Sequence, residues 1–197
     1  MKSRAEEKSA LRNRLLKART SISVDEWAEK SLLAVKRLQG LTEFQTSGTI
    51  HCFVSMNKKR EVNTHDLIRN MLLTDKEVIV PVTDFEKVKL RHTKISSFEE
   101  LAPNKWGILE PVNSDSFDSK IDIIIVPLLA ADISFNRLGY GKGFYDRFLS
   151  SSNALKVGLL FDGFLLDEIP VEDFDEKLDI LITDKKTLRR NNEDVIS

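Results

Sequence analysis

Residues 121–126, closed by Pro127, constrain the fold more than any other stretch. Ile121, Ile123, Ile124, Ile125 and Val126 make this the most apolar run of the chain. Nothing in it alternates cleanly between apolar and polar, so it reads as a central strand buried on both faces. Such a strand needs layers packed above and below its sheet. Short β-rich runs at 49–54, 77–82, 156–161 and 179–183 supply strand partners. The 77–82 run is expected to stop around Pro81. Residues 87–92 alternate Val88, Leu90 and His92 with Lys and Arg, which predicts a strand with one wet face.

Helical patterns lie before and between these runs. Ser3 and Glu6 have capping-box spacing, and Leu11, Leu15 and Ala18 follow at helical intervals. Ser23 with Glu26 repeats the signal. Trp27, Leu32 or Leu33, Val35 and Leu38 then form an apolar face that ends at Gly40. Thr64 is placed to cap a helix reaching about Leu73, with Leu67, Ile68, Met71 and Leu72 inward. The alternation predicts an α/β chain: a single-domain, three-layer sandwich over residues 1–197 with a mostly parallel, Rossmann-like sheet. The polar tail after Lys185 reads as frayed. In such sheets ligands bind beyond the carboxyl ends of strands, which directs attention to the loops after Val54, Val126 and Phe161.

Composition narrows the function classes. Thirty Lys and Arg against 31 Asp and Glu leave a net charge of −1, with no bulk field to attract nucleic acid or a membrane surface. No apolar run is long enough to span a bilayer, and the first residues lack the apolar core of a secretory signal. A single cysteine, Cys52, sits in an apolar run and reads as a small buried hydrophobe. A cytoplasmic monomer acting on small molecules is expected.

The chemistry concentrates at 137–146. Gly139, Gly141 and Gly143 alternate there, and exposed N–H groups in such a turn form a concavity that holds anions. Residues from Phe144 onward look like a helix whose start faces that concavity. Arg137 and Lys142 add positive charge, and Asp146 is placed to hold a magnesium ion that bridges phosphates. Neither the Walker spacing nor the dinucleotide fingerprint is present. These residues describe a phosphate site and leave the reaction open.

The segment from Arg137 through Leu138, Gly139, Tyr140, Gly141, Lys142, Gly143, Phe144 and Tyr145 to Asp146 resembles the signature of the 5-formyltetrahydrofolate cyclo-ligases. The likeness extends to Lys8 and Arg12, to residues 53–56 and 61–64, to 106–111, to 124–127 and to the closing runs at 157–162 and 179–184. It implies ATP- and magnesium-dependent conversion of 5-formyltetrahydrofolate to 5,10-methenyltetrahydrofolate. The formyl oxygen attacks the γ-phosphate, nitrogen 10 attacks the resulting iminium phosphate, and phosphate leaves.

Carried over by the resemblance, Lys8, Arg12 and residues 137–145 contact ATP, with Lys142 at the γ-phosphate. Lys142, Arg137 and Tyr145 take the catalytic roles. Val54, Met56, Glu61 and Trp106, with residues 140–144, contact the folate. Asp146 and Asp175 are the metal carboxylates. On the residues alone, Lys8 and Arg12 read as a solvated basic face. Glu61 then reads as a loop acid, Tyr145 as a half-buried core tyrosine and Asp175 as a helix cap. Two other classes use a glycine-rich phosphate loop on related folds: sugar-phosphate isomerases with coenzyme A transferases, and non-catalytic folate- or nucleotide-binding modules.

Overall fold

The computed structural model describes residues 3–113 and 115–190. In chain order they form α1 (Arg4–Thr20), α2 (Val24–Gln39), α3 (Thr42–Thr46), β1 (Thr49–Cys52), α4 (His65–Leu72), β2 (Glu77–Asp84) and β3 (Lys89–Ile95). Then come β4 (Leu101–Pro103), β5 (Leu109–Pro111), β6 (Ile123–Pro127), β7 (Ala130–Asp132), β8 (Arg137–Leu138) and α5 (Phe144–Ser150). The last strands are β9 (Leu155–Leu159), β10 (Leu165–Leu166), β11 (Ile180–Ile182) and β12 (Thr187–Arg189). The main sheet has seven strands in the order β12-β11-β9-β6-β1-β2-β3. The five inner strands are mutually parallel, and antiparallel β12 and β3 close the edges.

The apolar run at β6 lies mid-sheet, and Ile123, Ile124, Ile125 and Val126 are all buried, as strands covered on both faces must be. Val78, Ile79 and Val80 of β2 show the same two-sided burial. α5 packs on the face that carries His51 and His92, with the Phe148 ring 4.9 Å and 4.0 Å from theirs. From β1 the chain moves to β2 on one side, and β6 then enters on the other. The order reverses between β1 and β6, so a crevice opens at their carboxyl ends.

Several local expectations are corrected. Pro81 does not end β2, because β1 pairs only with Glu77, Val78 and Ile79. Beyond them β2 has one neighbour, and a missing N–H on the open side is harmless. Val88 adopts positive φ in the turn before β3, which starts at Lys89. On α1 Ala18 is exposed while Lys8, Leu15 and Arg19 are buried. On α2 Leu32 and Leu33 are exposed, and Trp27, Ser31, Ala34 and Leu38 face the core. Thr64 makes no side-chain cap. Its hydroxyl donates to Phe53 O at 2.7 Å and accepts from Ser55 N at 3.1 Å, fastening the loop after β1. The chain just past Lys185 is not frayed: β12 pairs with β11, and Arg189 reaches Glu43 across two contacts. Residues 191–197 of the expected tail lie outside the described residues.

Candidate active site

A cavity of about 510 Å³ opens at the carboxyl ends of β1 and β6. Phe53, Val54 and Met56 line it from the segment after β1 and Pro127 from the end of β6. Every residue singled out above as a site residue borders this cavity, although the chain separates them by as many as 167 positions, from Lys8 to Asp175.

The glycine-rich loop forms one wall. Gly141 (φ +86°) and Gly143 (φ +66°) occupy the left-handed region, where a side chain is strained. Close packing adds to this at Gly141: a Cβ there would lie 3.0 Å from Arg12 Cζ. Arg12 Nε in turn donates to Gly139 O at 3.0 Å, so α1 holds the loop's shape. Arg137 on β8 is buried and pairs with Asp146 at 2.6 Å, while its Nε has no partner. Burial pulls its guanidinium pKa down, and Asp146 and Asp175 oppose that. Lys8 is also buried and bridges Glu172 at 2.7 Å and Asp175. Its expected place on a solvated basic face is thus excluded. Lys142 is exposed and makes no ion pair among the described residues.

The opposite end is built around Glu61, which is 3% exposed rather than a solvated loop acid. One carboxylate oxygen accepts from Met56 N at 2.5 Å, and the other accepts from the Tyr140 hydroxyl. The Trp27 indole donates to the Glu61 carbonyl at 2.6 Å, tying α2 to this loop. Burial raises the Glu61 carboxyl above its ordinary range, and Arg19 is the first of the groups that hold it down. Tyr145 lines the cavity as well. Its hydroxyl is buried without a partner, and burial pushes its pKa well up. Trp106 is half exposed and stacks on Phe85 with ring centroids 3.8 Å apart.

Asp146 and Asp175 both face the cavity, each held by a cation. Asp175 also accepts from Glu172 N at 2.7 Å, closing a turn rather than capping a helix. One or two carboxylates beside a phosphate cradle suit magnesium, which takes most of its other ligands from phosphate and water. Cys52 is buried, and burial pushes its thiol pKa up, as a core residue requires.

Three contributors escaped the sequence reading. Arg19 stands seven positions after Arg12, which keeps it on the same face of α1. That spacing was the available signal. Phe85 lies in the β2–β3 turn, where a lone aromatic carries no pattern. Glu110 accepts from Thr83 N at 2.8 Å and from Asn104 Nδ2 at 3.0 Å, bracing the hairpin that carries Trp106.

Known proteins resemble this chain along most of its length. A family model described as the 5-formyltetrahydrofolate cyclo-ligase family matches residues 4–184. A probable 5-formyltetrahydrofolate cyclo-ligase of Schizosaccharomyces pombe is 34% identical, over 81% of this chain and 86% of its own. The 5-formyltetrahydrofolate cyclo-ligase of Escherichia coli K12 is 31% identical, over 85% and 95%. The solved structure of the Aquifex aeolicus 5,10-methenyltetrahydrofolate synthetase superposes with a TM-score of 0.83 at 31% identity, covering 96% of both chains.

Proposed function

The chain belongs to the 5-formyltetrahydrofolate cyclo-ligase family, and we propose that it converts 5-formyltetrahydrofolate and ATP to 5,10-methenyltetrahydrofolate, ADP and phosphate. One observation carries this reading. A single cavity is lined by a glycine-rich anion cradle, a buried carboxylate acceptor and a tyrosine whose hydroxyl has no partner among the described residues. That arrangement suits a triphosphate at one end, a heterocycle with N–H donors at the other, and a reacting oxygen in the middle.

The backbone at 139–143 and the cations Lys8, Arg12 and Arg137 receive the phosphates. Lys8 and Arg137 hold carboxylates in this structure, so phosphate oxygens take over donors already aimed into the cavity. Exposed Lys142 meets the γ-phosphate, where charge builds as the formyl oxygen attacks. Tyr145 closes over the reacting formyl group and aligns its oxygen with phosphorus. Glu61 accepts from the pterin amino and ring N–H groups, and Val54, Met56 and Trp106 line the slot. Nitrogen 10 then attacks the activated carbon and gives up its proton to the departing phosphate. The carbon–oxygen bond breaks, and the former formyl oxygen leaves within phosphate. Asp146 and Asp175 would hold magnesium, which supplies charge neutralisation at the phosphates.

In this reading the enzyme acts as a cytoplasmic monomer on small molecules, without nucleic-acid or membrane partners. Among the described residues no helix is long and apolar enough to cross a membrane. The decisive experiment follows the near-ultraviolet band of the methenyl product with 5-formyltetrahydrofolate, ATP and magnesium. A rise that requires all three is expected. A folded protein that binds ATP and yields no product would overturn the reading.

A further inference from the structure

Arg19 is a buried guanidinium with an unusual set of partners. It is 3% exposed, yet it makes no carboxylate ion pair among the described residues. Its Nε donates to Lys59 O at 2.9 Å and its Nη1 to Leu128 O at 3.0 Å. Its Nη2 donates to the Tyr140 hydroxyl, and that hydroxyl donates to Glu61. A buried cation and a buried anion are therefore joined through one phenol.

The direction of these bonds is forced. A guanidinium only donates, so the Tyr140 oxygen accepts from Arg19 and its single proton points at Glu61. The other Glu61 oxygen faces the Met56 N–H. Both oxygens thus meet donors, and a protonated carboxyl would set its own O–H against one of them. The surroundings favour the carboxylate although burial favours the acid. Four side chains bear on Glu61: Arg19 from α1, Lys59 from the turn after β1, Tyr140 from the glycine-rich loop and Tyr145 from α5. Lys59 also lies 4.7 Å from the Tyr140 ring, so its charge is shared with the phenol face.

We propose that Arg19 is a positioning residue for folate recognition, which acts through the Tyr140 hydroxyl to keep Glu61 ionised and aimed into the cavity. The inference rests on Glu61 as the pterin acceptor. It goes further by assigning the geometry and charge of that acceptor to the helix that also carries Lys8 and Arg12. An acceptor held in this state selects heterocycles with an N–H edge and rejects those that present lone pairs there.

Tyr140→Phe removes one oxygen and both bonds, and Arg19→Leu removes the cation. Each should raise KM for 5-formyltetrahydrofolate about tenfold, the loss of one hydrogen bond to a charged group, and should change KM for ATP less than that. Each should also move the acidic limb of kcat/KM for the folate to higher pH. Carboxyl-carbon NMR of Glu61 should show its titration midpoint raised in both variants. A fall in thermal stability with the limb and the Glu61 midpoint unmoved would reduce Arg19 to a structural residue and overturn the proposal. If Arg19→Leu fails to fold, Tyr140→Phe decides alone, since it conserves shape. If the wild type makes no methenyl product, the functional reading fails. The Glu61 titration then still tests the link, and an unshifted midpoint in Tyr140→Phe overturns it.

Discussion

The two ends of the cavity are built on opposite principles. At the Glu61 end every polar group already has its partner: Met56 N, Tyr140 and the Trp27 indole hold the acid and its backbone in place. At the glycine-rich end the cations are occupied by carboxylates, Lys8 by Glu172 and Asp175 and Arg137 by Asp146, and Lys142 stays in solvent. A rigid acceptor recognises a neutral heterocycle with little reorganisation. A cradle whose cations must exchange partners suits a ligand that brings several charges of its own. The comparison predicts that changes at the glycine-rich end strike turnover or ATP binding and changes at the Glu61 end strike folate affinity.

The largest effect tests the first half. Lys142→Ala should lower kcat by at least about a hundredfold, the scale of losing one charge-stabilising donor. Its thermal midpoint should stay put, since the side chain is exposed. Near-normal turnover would remove Lys142 from the chemistry. The next effect tests the other half. Glu61→Gln should cut kcat/KM for the folate about a hundredfold, as expected when a buried acceptor no longer matches its donors, with ATP affinity kept. Stability supplies a second readout. Burial holds the Glu61 carboxyl above its ordinary value of 4.5. A raised carboxyl contributes most stability below the unfolded pKa and loses it as pH rises through the folded one. Glu61→Gln should therefore gain on the wild type as pH rises above 4.5 and run parallel to it once the pH has passed the raised folded value. A stability difference independent of pH would mean that Glu61 is not strained by burial.

What the sequence disclosed follows the same division. The glycine-rich loop is a contiguous motif, so Arg137, Lys142 and Asp146 were legible together. β6 was legible because two-sided burial leaves an unbroken apolar run. The Glu61 end is made of contacts between distant segments. Arg19 reads locally as one more basic residue in the last turn of α1, a common and solvated placement. Only carbonyls 40 and 109 positions away turn it inward. The β4–β5 hairpin was missed because Leu101–Pro103 and Leu109–Pro111 are three-residue strands with prolines and no alternation. The shared face of Lys8 and Arg12 was readable, but not its burial, which depends on Glu172 and Asp175.

A pair of alanines sharpens the picture of the cradle. Gly141 has φ +86°, and a Cβ there meets the Arg12 guanidinium at 3.0–3.2 Å. At Gly139 a Cβ meets only Arg137 Nη1, at 3.9 Å. Gly141→Ala should destabilise by about 1–2 kcal/mol through left-handed strain and should raise KM for ATP several-fold by displacing Arg12. Gly139→Ala should be close to neutral in both. Denaturant unfolding and steady-state kinetics on the two variants check this. Equal effects would mean that Arg12 does not shape the loop.

The smallest effect concerns the core beside Tyr145. His51 is fully buried, neither ring nitrogen has a partner among the described residues, and its ring lies 6.2 Å from that of Tyr145. Desolvation holds its pKa well below 6.5, and the same cause pushes that of neighbouring His92 down to about 4. A depressed histidine contributes stability that is present above its unfolded value and is lost as pH falls toward the folded one, because the unfolded chain takes up the proton first. The wild type should therefore weaken steadily as pH falls from 6.5 toward 4. His51→Leu removes one of these groups and two unpaired nitrogens. It should gain about 1 kcal/mol at neutral pH and more near pH 5, read as thermal midpoints at the two pH values. A loss of stability at both would mean that internal water satisfies the ring. The packing beside Tyr145 would then hold water, and the fully partnered character of the Glu61 end would not extend to Tyr145.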